Sequence, residues 1–245
     1  MRYGITSDIH GNLTALETVI QSAGTVDGWI CLGDTVGYGP LPNECIQRVR
    51  DICETVLIGN HDLAAIGRLD TSWFNPHARA AAEWTQQALT PESKAYLESL
   101  PEMRVCAEWD VTFSHGSLTD PPRDYILSRL DARTNFRLLE TQTLFIGHSH
   151  LSEYFTMKDG RNYCDEEVFT GSDHLVLKPG YRYIVNCGSV GQPRDGDARA
   201  AFGILDTEAH TVDVTRVPYD VERVQARMQA EGLPDLLAER LSRGL

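Results

Sequence analysis

Five short apolar runs in the first 150 residues each break off in a polar cluster, and this feature constrains the fold more than any other. Tyr3 to Ser7 runs into Asp8-Ile9-His10, Trp29 to Leu32 into Gly33-Asp34, and Thr55 to Ile58 into Gly59-Asn60-His61-Asp62. Val111 to Ser114 runs into His115-Gly116, and Leu144 to Ile146 into Gly147-His148-Ser149-His150. Between the first three runs the apolar spacing turns helical. Leu13, Leu16, Val19 and Ile20 share one face before Gly24, and Cys45, Ile46 and Val49 share another after Pro42. Such strand–helix alternation predicts an α/β fold with parallel strands under helices. It also puts the polar clusters at the C-terminal edge of the strands, where sites assemble in open α/β sheets.

From Leu63 to Pro101 the pattern is helical, with Ala81, Trp84 and Ala88 on one face and Pro76 and Pro91 near helix starts. It reads as a helical insertion around 63–100 packed beside the sheet core. A Pro-rich loop and a short helix separate the fourth and fifth strands. After His150 the expectation is antiparallel sheet, with strands at Tyr154–Met157, Val168–Thr170, Leu175–Leu177 and Tyr183–Asn186. A hairpin of Phe202–Leu205 and Val212–Val217 follows, and two amphipathic helices complete the pattern. No internal repeat or low-complexity linker divides residues 1–245, so one α/β domain is expected.

A formal net charge of -13 argues against a long basic footprint for nucleic acid, because counterion release needs clustered Lys and Arg. No apolar stretch approaches a membrane span, and Met1 to Ser7 runs into Asp8 without a secretory apolar region. Cys31, Cys45, Cys53, Cys106, Cys164 and Cys187 are scattered, with no Cys-x-x-Cys pair. Free, mostly buried thiols in a reducing cytoplasm are expected over three disulfides.

The residue types at the strand ends suit one task. Carboxylate, amide oxygen and imidazole together match borderline first-row divalent ions, and the lack of a cysteine cluster argues against a structural zinc site. In an extended segment, residues two apart point the same way, so Asp8 with His10 and His148 with His150 would converge. Glycines 11, 33, 59, 116 and 147 allow tight turns or close backbone approach beside them. Asp8, His10, Asp34, Asn60, His115, His148 and His150 are more donors than one tetrahedral site needs, which points to two ions. Taken singly, Asp-x-His is usually a turn or helix start and Gly-Asp a turn. All five clusters in order, each after a strand, are far more specific.

That ordered set closely resembles the calcineurin-like metallophosphoesterases. Gly33-Asp34-Thr35-Val36-Gly37-Tyr38-Gly39-Pro40 and the tail from Pro218-Tyr219-Asp220 resemble a bacterial branch of diadenosine tetraphosphatase-like and phosphodiesterase-like proteins. The resemblance implies a four-layer sandwich of two mixed β-sheets flanked by helices. It implies that Asp8, His10, Asp34 and His150 hold one metal ion, and that Asp34, Asn60, His115 and His148 hold the other. Asp34 would bridge the two. The ions would be manganese, iron, nickel or zinc, with manganese or iron favoured. A water bridging two such ions loses a proton near neutral pH and can attack phosphorus as hydroxide.

His61 is expected to protonate the leaving alkoxide or stabilise transition-state charge, with Asp62 hydrogen-bonded to its imidazole and raising its pKa. Asn60 and His61 would also meet substrate. Arg194, in a glycine-rich segment after a strand, is a candidate phosphate contact, and Tyr38 a candidate pocket wall. His77, His174, His210 and the Glu166–Glu167 pair read as surface or structural residues. The implied function is hydrolysis of a phosphate ester by a phosphodiesterase, a phosphatase or a dinucleoside polyphosphate hydrolase. The partner is a small phosphorylated substrate, nucleotides included, with no membrane involved and the oligomeric state open. A non-catalytic protein-binding module on the same fold is the alternative, and the full set of ligands with His61 argues against it.

Overall fold

The computed structural model describes residues 1–245. Its first part is a βαβαβ unit made of β1 (Arg2–Thr6), α1 (Leu13–Ser22), β2 (Gly28–Cys31), α2 (Pro42–Ile52) and β3 (Cys53–Val56). Both β1–β2 and β2–β3 pair in parallel. Three helices follow, α3 (Asn60–Ala65), α4 (Pro76–Ala88) and α5 (Pro91–Glu98). Capping explains the last two starts. Asn75 accepts the N–H groups of His77 and Ala78, Thr90 accepts that of Ser93, and each is followed by proline, whose fixed φ suits a first turn.

The remaining elements are β4 (Met103–Cys106), β5 (Val111–Ser114), α6 (Arg129–Leu138), β6 (Thr143–Ile146), β7 (Ser152–Lys158) and β8 (Asp165–Val168). They continue with β9 (Asp173–Val176), β10 (Tyr181–Cys187), β11 (Ala200–Asp206), β12 (Thr211–Val217), α7 (Val221–Ala230), α8 (Asp235–Glu239) and a 3₁₀ turn at Arg240–Arg243. The strands form two mixed six-stranded sheets, ordered β3-β2-β1-β11-β12-β9 and β4-β5-β6-β10-β7-β8.

Strand alternation builds the layers. Tyr3, Ile5, Ile30 and Leu32 turn inward and meet Phe113, Phe145, Tyr183 and Val185 of the second sheet. On the outer face of the first sheet, Trp29, Cys31, Phe202 and Ile204 pack under Ala15, Leu16 and Val19 of α1. Leu144, Ile146, Phe155 and Ile184 pack under Ala132 and Phe136 of α6 on the outer face of the second. The result is helices, sheet, sheet, helices. A further cluster joins Ala78, Ala81 and Ala82 of α4 to Val224 and Met228 of α7 and Leu237 of α8, so the tail covers the helical insertion.

The structure departs from the sequence pattern where strands lie at sheet edges. β4 was not foreseen, since three of its four residues are exposed and give no alternation. β8 falls on the acidic Asp165–Val168 rather than on Val168–Thr170, and all its residues are exposed. The insertion is not continuous helix, because residues 66–75 are turn and loop. After His150 the sheet is not wholly antiparallel either, for β10 runs parallel to β6 and antiparallel to β7. All six cysteines are free, and no helix is long and apolar enough to cross a membrane.

Phe113 is 1% exposed and stacks on Phe145 with centroids 5.7 Å apart in the middle of the inter-sheet core. Phe113→Ala should cost about 3–5 kcal/mol of stability, read as a lower urea midpoint at unchanged slope.

Candidate metal centre

All seven donors anticipated from the strand ends are buried and brought together. One ligand atom from each of Asp8, His10, Asp34 and His150 forms a group within 4.8 Å, and Asp34, His115 and His148 form a second. Asp34 belongs to both. The Asn60 Oδ1 joins the second group, 3.2 Å from His115 Nε2.

The local backbone is not the extended one assumed above. Asp8, His10, Asp34, His148 and His150 all have positive φ, between 50° and 66°. This left-handed region is sparsely populated by non-glycine residues, and strain of this kind gathers at functional sites. Hydrogen bonds beyond the strand ends hold it. The Asp8 N–H donates to Gly33 O and the His10 N–H to Asp34 O, which ties the β1 loop to the β2 loop. From the other side, the Gly191 N–H and the Ser189 hydroxyl both donate to Asp8 O. Asn186 fixes the last cluster by donating to Gly147 O and Ser149 Oγ. Glycine is needed for approach at two points. A Cβ at Gly59 would lie 2.1 Å from Asp34 Oδ1, and one at Gly147 would lie 1.8 Å from Ser7 Oγ.

Hydrogen bonds also decide which atoms face the centre. His10, His115 and His150 place Nδ1 against the carbonyl oxygens of Val36, Leu32 and Gln192, at 3.1, 3.0 and 2.5 Å. A carbonyl only accepts, so each Nδ1 carries a proton and each Nε2 faces the centre, where it offers a lone pair whenever the ring is neutral. His148 reverses this, with Nε2 donating to Arg123 O at 2.9 Å and Nδ1 left as the lone-pair nitrogen. The carboxylates divide their oxygens in the same way. Asp8 Oδ2 accepts the His148 N–H and Asp34 Oδ1 the His61 N–H, while Asp8 Oδ1 and Asp34 Oδ2 are buried with no hydrogen-bond partner. Asp34 Oδ2 sits 3.6 Å from His10 Nε2 and 3.4 Å from His115 Nε2. His10 Nε2 and His150 Nε2 face each other at 3.1 Å. Lone pairs set this close repel unless a proton or a metal cation lies between them, and this N/O set fits divalent first-row ions.

Proton affinities follow from burial and from these neighbours. Burial pushes the Asp8 carboxyl up, but the imidazoles of His150 and His115 outweigh it and hold it below the usual range. Asp34 behaves likewise beside His115 and His61. Burial depresses His10 and His150, and it brings His148 down to about 3. His115 is the exception. Burial lowers it too, yet Asp34 and Asp8 carry it up to about 9, so without metal it holds the positive charge of the site.

The residues given supporting roles are placed less uniformly. His61 is buried against Tyr38, Phe74 and His10, at 4.4, 5.0 and 5.0 Å between centroids. Asp62 does not hydrogen-bond its imidazole, contrary to the expectation. Its oxygens accept the N–H groups of Val36 and Gly59, both at 3.0 Å, and His61 Nδ1 is left without a partner. Asp62 therefore staples the β2 loop to the β3 loop, while burial takes His61 down to about 4 instead of up. Burial and the Asp34 charge raise Asp62 itself to about 7. Arg194 lies with Cζ 5.6 Å from the Tyr38 ring centroid and donates to Gln192 Oε1, and Tyr38 packs against His10. Asn186, Ser189, Gln192 and Tyr125 were missed. Each touches a ligand or its loop without belonging to a strand-end cluster.

The sequence profile described as the calcineurin-like phosphoesterase superfamily domain matches residues 1–210. An uncharacterized protein of Methanocaldococcus jannaschii is 33% identical over 253 residues, covering 98% of this chain and 97% of that one. Among solved structures, a metallophosphoesterase from Sphaerobacter thermophilus superposes with a TM-score of 0.90 at 42% identity, covering 100% of this chain and 99% of that one. A hypothetical protein from Pyrococcus horikoshii shares the fold, with a TM-score of 0.78 at 20% identity and coverage of 100% and 98%.

A divalent ion taking the His115 lone pair must displace the proton held there. At pH 7.5, metal uptake by the chelator-stripped protein should release close to one proton, since that pH lies below the raised value of about 9. Calorimetric titration in two buffers of different ionisation enthalpy measures the release, and a value near zero would mean that His115 is already neutral.

Proposed function

The chain belongs to the calcineurin-like phosphoesterase superfamily, and from that premise we propose that it is a dinuclear-metal phosphoesterase acting on small phosphate esters. The observation that carries this reading is the Asp34 carboxylate, with one buried oxygen unpartnered between His10 and His115. Two ions would be held by Asp8, His10, Asp34 and His150 and by Asp34, Asn60, His115 and His148, with Asp34 common to both sets. The mixed nitrogen and oxygen donor set suits first-row divalent ions in general, and manganese or iron is proposed from the family resemblance and not from the donors. When bound, two such ions supply Lewis-acid activation of water and stabilise the charge that grows on phosphoryl oxygens.

The chain's own groups do the rest. Asp8 and Asp34 return only two negative charges, which leaves the centre able to draw phosphate into an acidic protein. Burial keeps His61 neutral at pH 7, so it serves as a hydrogen-bond donor to the leaving oxygen and not as a preformed imidazolium. Arg194 carries the permanent charge. Its Nε is buried without a partner, and its stand on Tyr38 suits it to grip a phosphate oxygen. Substrate choice between phosphodiester, phosphomonoester and dinucleoside polyphosphate belongs to the surrounding walls, here the 63–100 helices and the loops near Asp120 and Arg194. A cytoplasmic setting is part of the same proposal, supported by six unpaired cysteines.

A panel of mono-, di- and polyphosphate esters, bis-p-nitrophenyl phosphate included, run with manganese, iron, nickel and zinc, tests the activity. Hydrolysis that a chelator abolishes and metal restores is expected. Metal-loaded protein that cleaves none of the panel would favour a non-catalytic binding module. His61→Ala should keep its metal content while turnover falls about 10²–10⁴-fold, and loss of metal in that variant would sink the division of roles.

A further inference from the structure

His115 and His148, the two imidazoles of the Asn60 ion site, are linked by one surface loop, residues 116–128 between β5 and α6. The loop closes on itself beside His115. The Gly116 N–H donates to Pro121 O at 2.5 Å and the Ser117 N–H donates to Asp124 O at 2.8 Å. Its far arm then reaches His148 twice. Arg123 O accepts the Nε2–H, and the Tyr125 ring lies parallel on the imidazole, with centroids 3.7 Å apart and planes 12° apart. The carbonyl fixes the tautomer and the direction of Nδ1 within the ring plane, and the phenol ring fixes the plane itself.

These supports differ from those of the other three histidines. Val36, Leu32 and Gln192, which orient His10, His115 and His150, are all buried. The Arg123 side chain is 52% exposed and Tyr125 is 40% exposed. One ion site is therefore anchored wholly in the core, while the other depends at one ligand on a surface loop.

We infer that Tyr125 is a positioning residue for His148, and that the 116–125 loop sets the affinity of the His115–His148 ion site independently of the other site. This rests on the dinuclear reading of the centre. The contact is made by the face of the ring, so phenylalanine should replace Tyr125 and alanine should not. Removing a hydrogen-bonding support of a metal-binding histidine typically weakens metal affinity about 10- to 100-fold, and loss of the stacked ring is expected at the lower end of that range.

The test is calorimetric titration of chelator-stripped protein with Mn²⁺. Wild type should show two binding steps. Tyr125→Ala should weaken one of them about 10-fold or more, namely the step that His148→Ala abolishes and His150→Ala does not. Tyr125→Phe should titrate as wild type, and the metal-free Tyr125→Ala protein should unfold at the wild-type temperature. Equal weakening of both steps, no weakening, or failure of phenylalanine to preserve the step would overturn the assignment. Wild type that takes up no Mn²⁺ would overturn the dinuclear reading along with it, whereas two wild-type steps indifferent to Tyr125→Ala would overturn this inference alone.

Discussion

Repulsion among converging lone pairs is the constraint on which the rest of the structure depends. Four imidazoles, two carboxylates and an amide oxygen, all buried, turn acceptor atoms toward two adjacent points. Such an arrangement is unfavourable until a cation answers it. The surrounding chain holds it nonetheless, with five of these seven residues in left-handed backbone, at roughly 1–3 kcal/mol each. The offset comes from ordinary interactions: backbone hydrogen bonds that run past the strand ends, and apolar layers above and below. Without metal the neighbouring carboxylates raise the proton affinity of His115, whose Nε2 lies 3.4 Å from Asp34 Oδ2 and 3.2 Å from Asn60 Oδ1.

Much of this was legible in the residue order, because period-two strands and period-3.6 helices leave distinct marks where one face is buried. The β1–β3 unit and the five polar strand ends belong to that class. Edge strands do not, and β4 and β8 are paired through backbone groups while their side chains lie in water. The convergence of Asp8 with His10 was anticipated for a reason that does not hold, since both residues are left-handed and not extended. The supports were illegible. Asn186, Ser189, Gln192 and Tyr125 act across long sequence separations, through hydrogen bonds or one ring face, and no spacing rule reports such contacts.

His61 and Asp62 show how adjacency misleads. Successive residues on a helix point about 100° apart, at 3.6 residues per turn. On α3 this sends His61 toward Tyr38, Phe74 and His10, and Asp62 toward the N–H groups of Val36 and Gly59. Two residues that read as an acid–base couple thus serve different ends. One packs as a ring among Tyr38, Phe74 and His10, and the other ties the β2 and β3 loops together.

β1 lies inside its sheet, with β2 on one side and β11 on the other. Its following loop is clamped by Ser189 and Gly191, also far downstream. A ribosome delivers β1 early, yet one of its edges stays open until β11, ending at Asp206, has emerged. Until then Asp8 O lacks its two downstream donors, and the left-handed backbone of Asp8 and His10 rests on the β2 loop alone. The candidate centre is thus completed only through contacts of long sequence separation, the kind whose loop-closure cost makes them form late in folding.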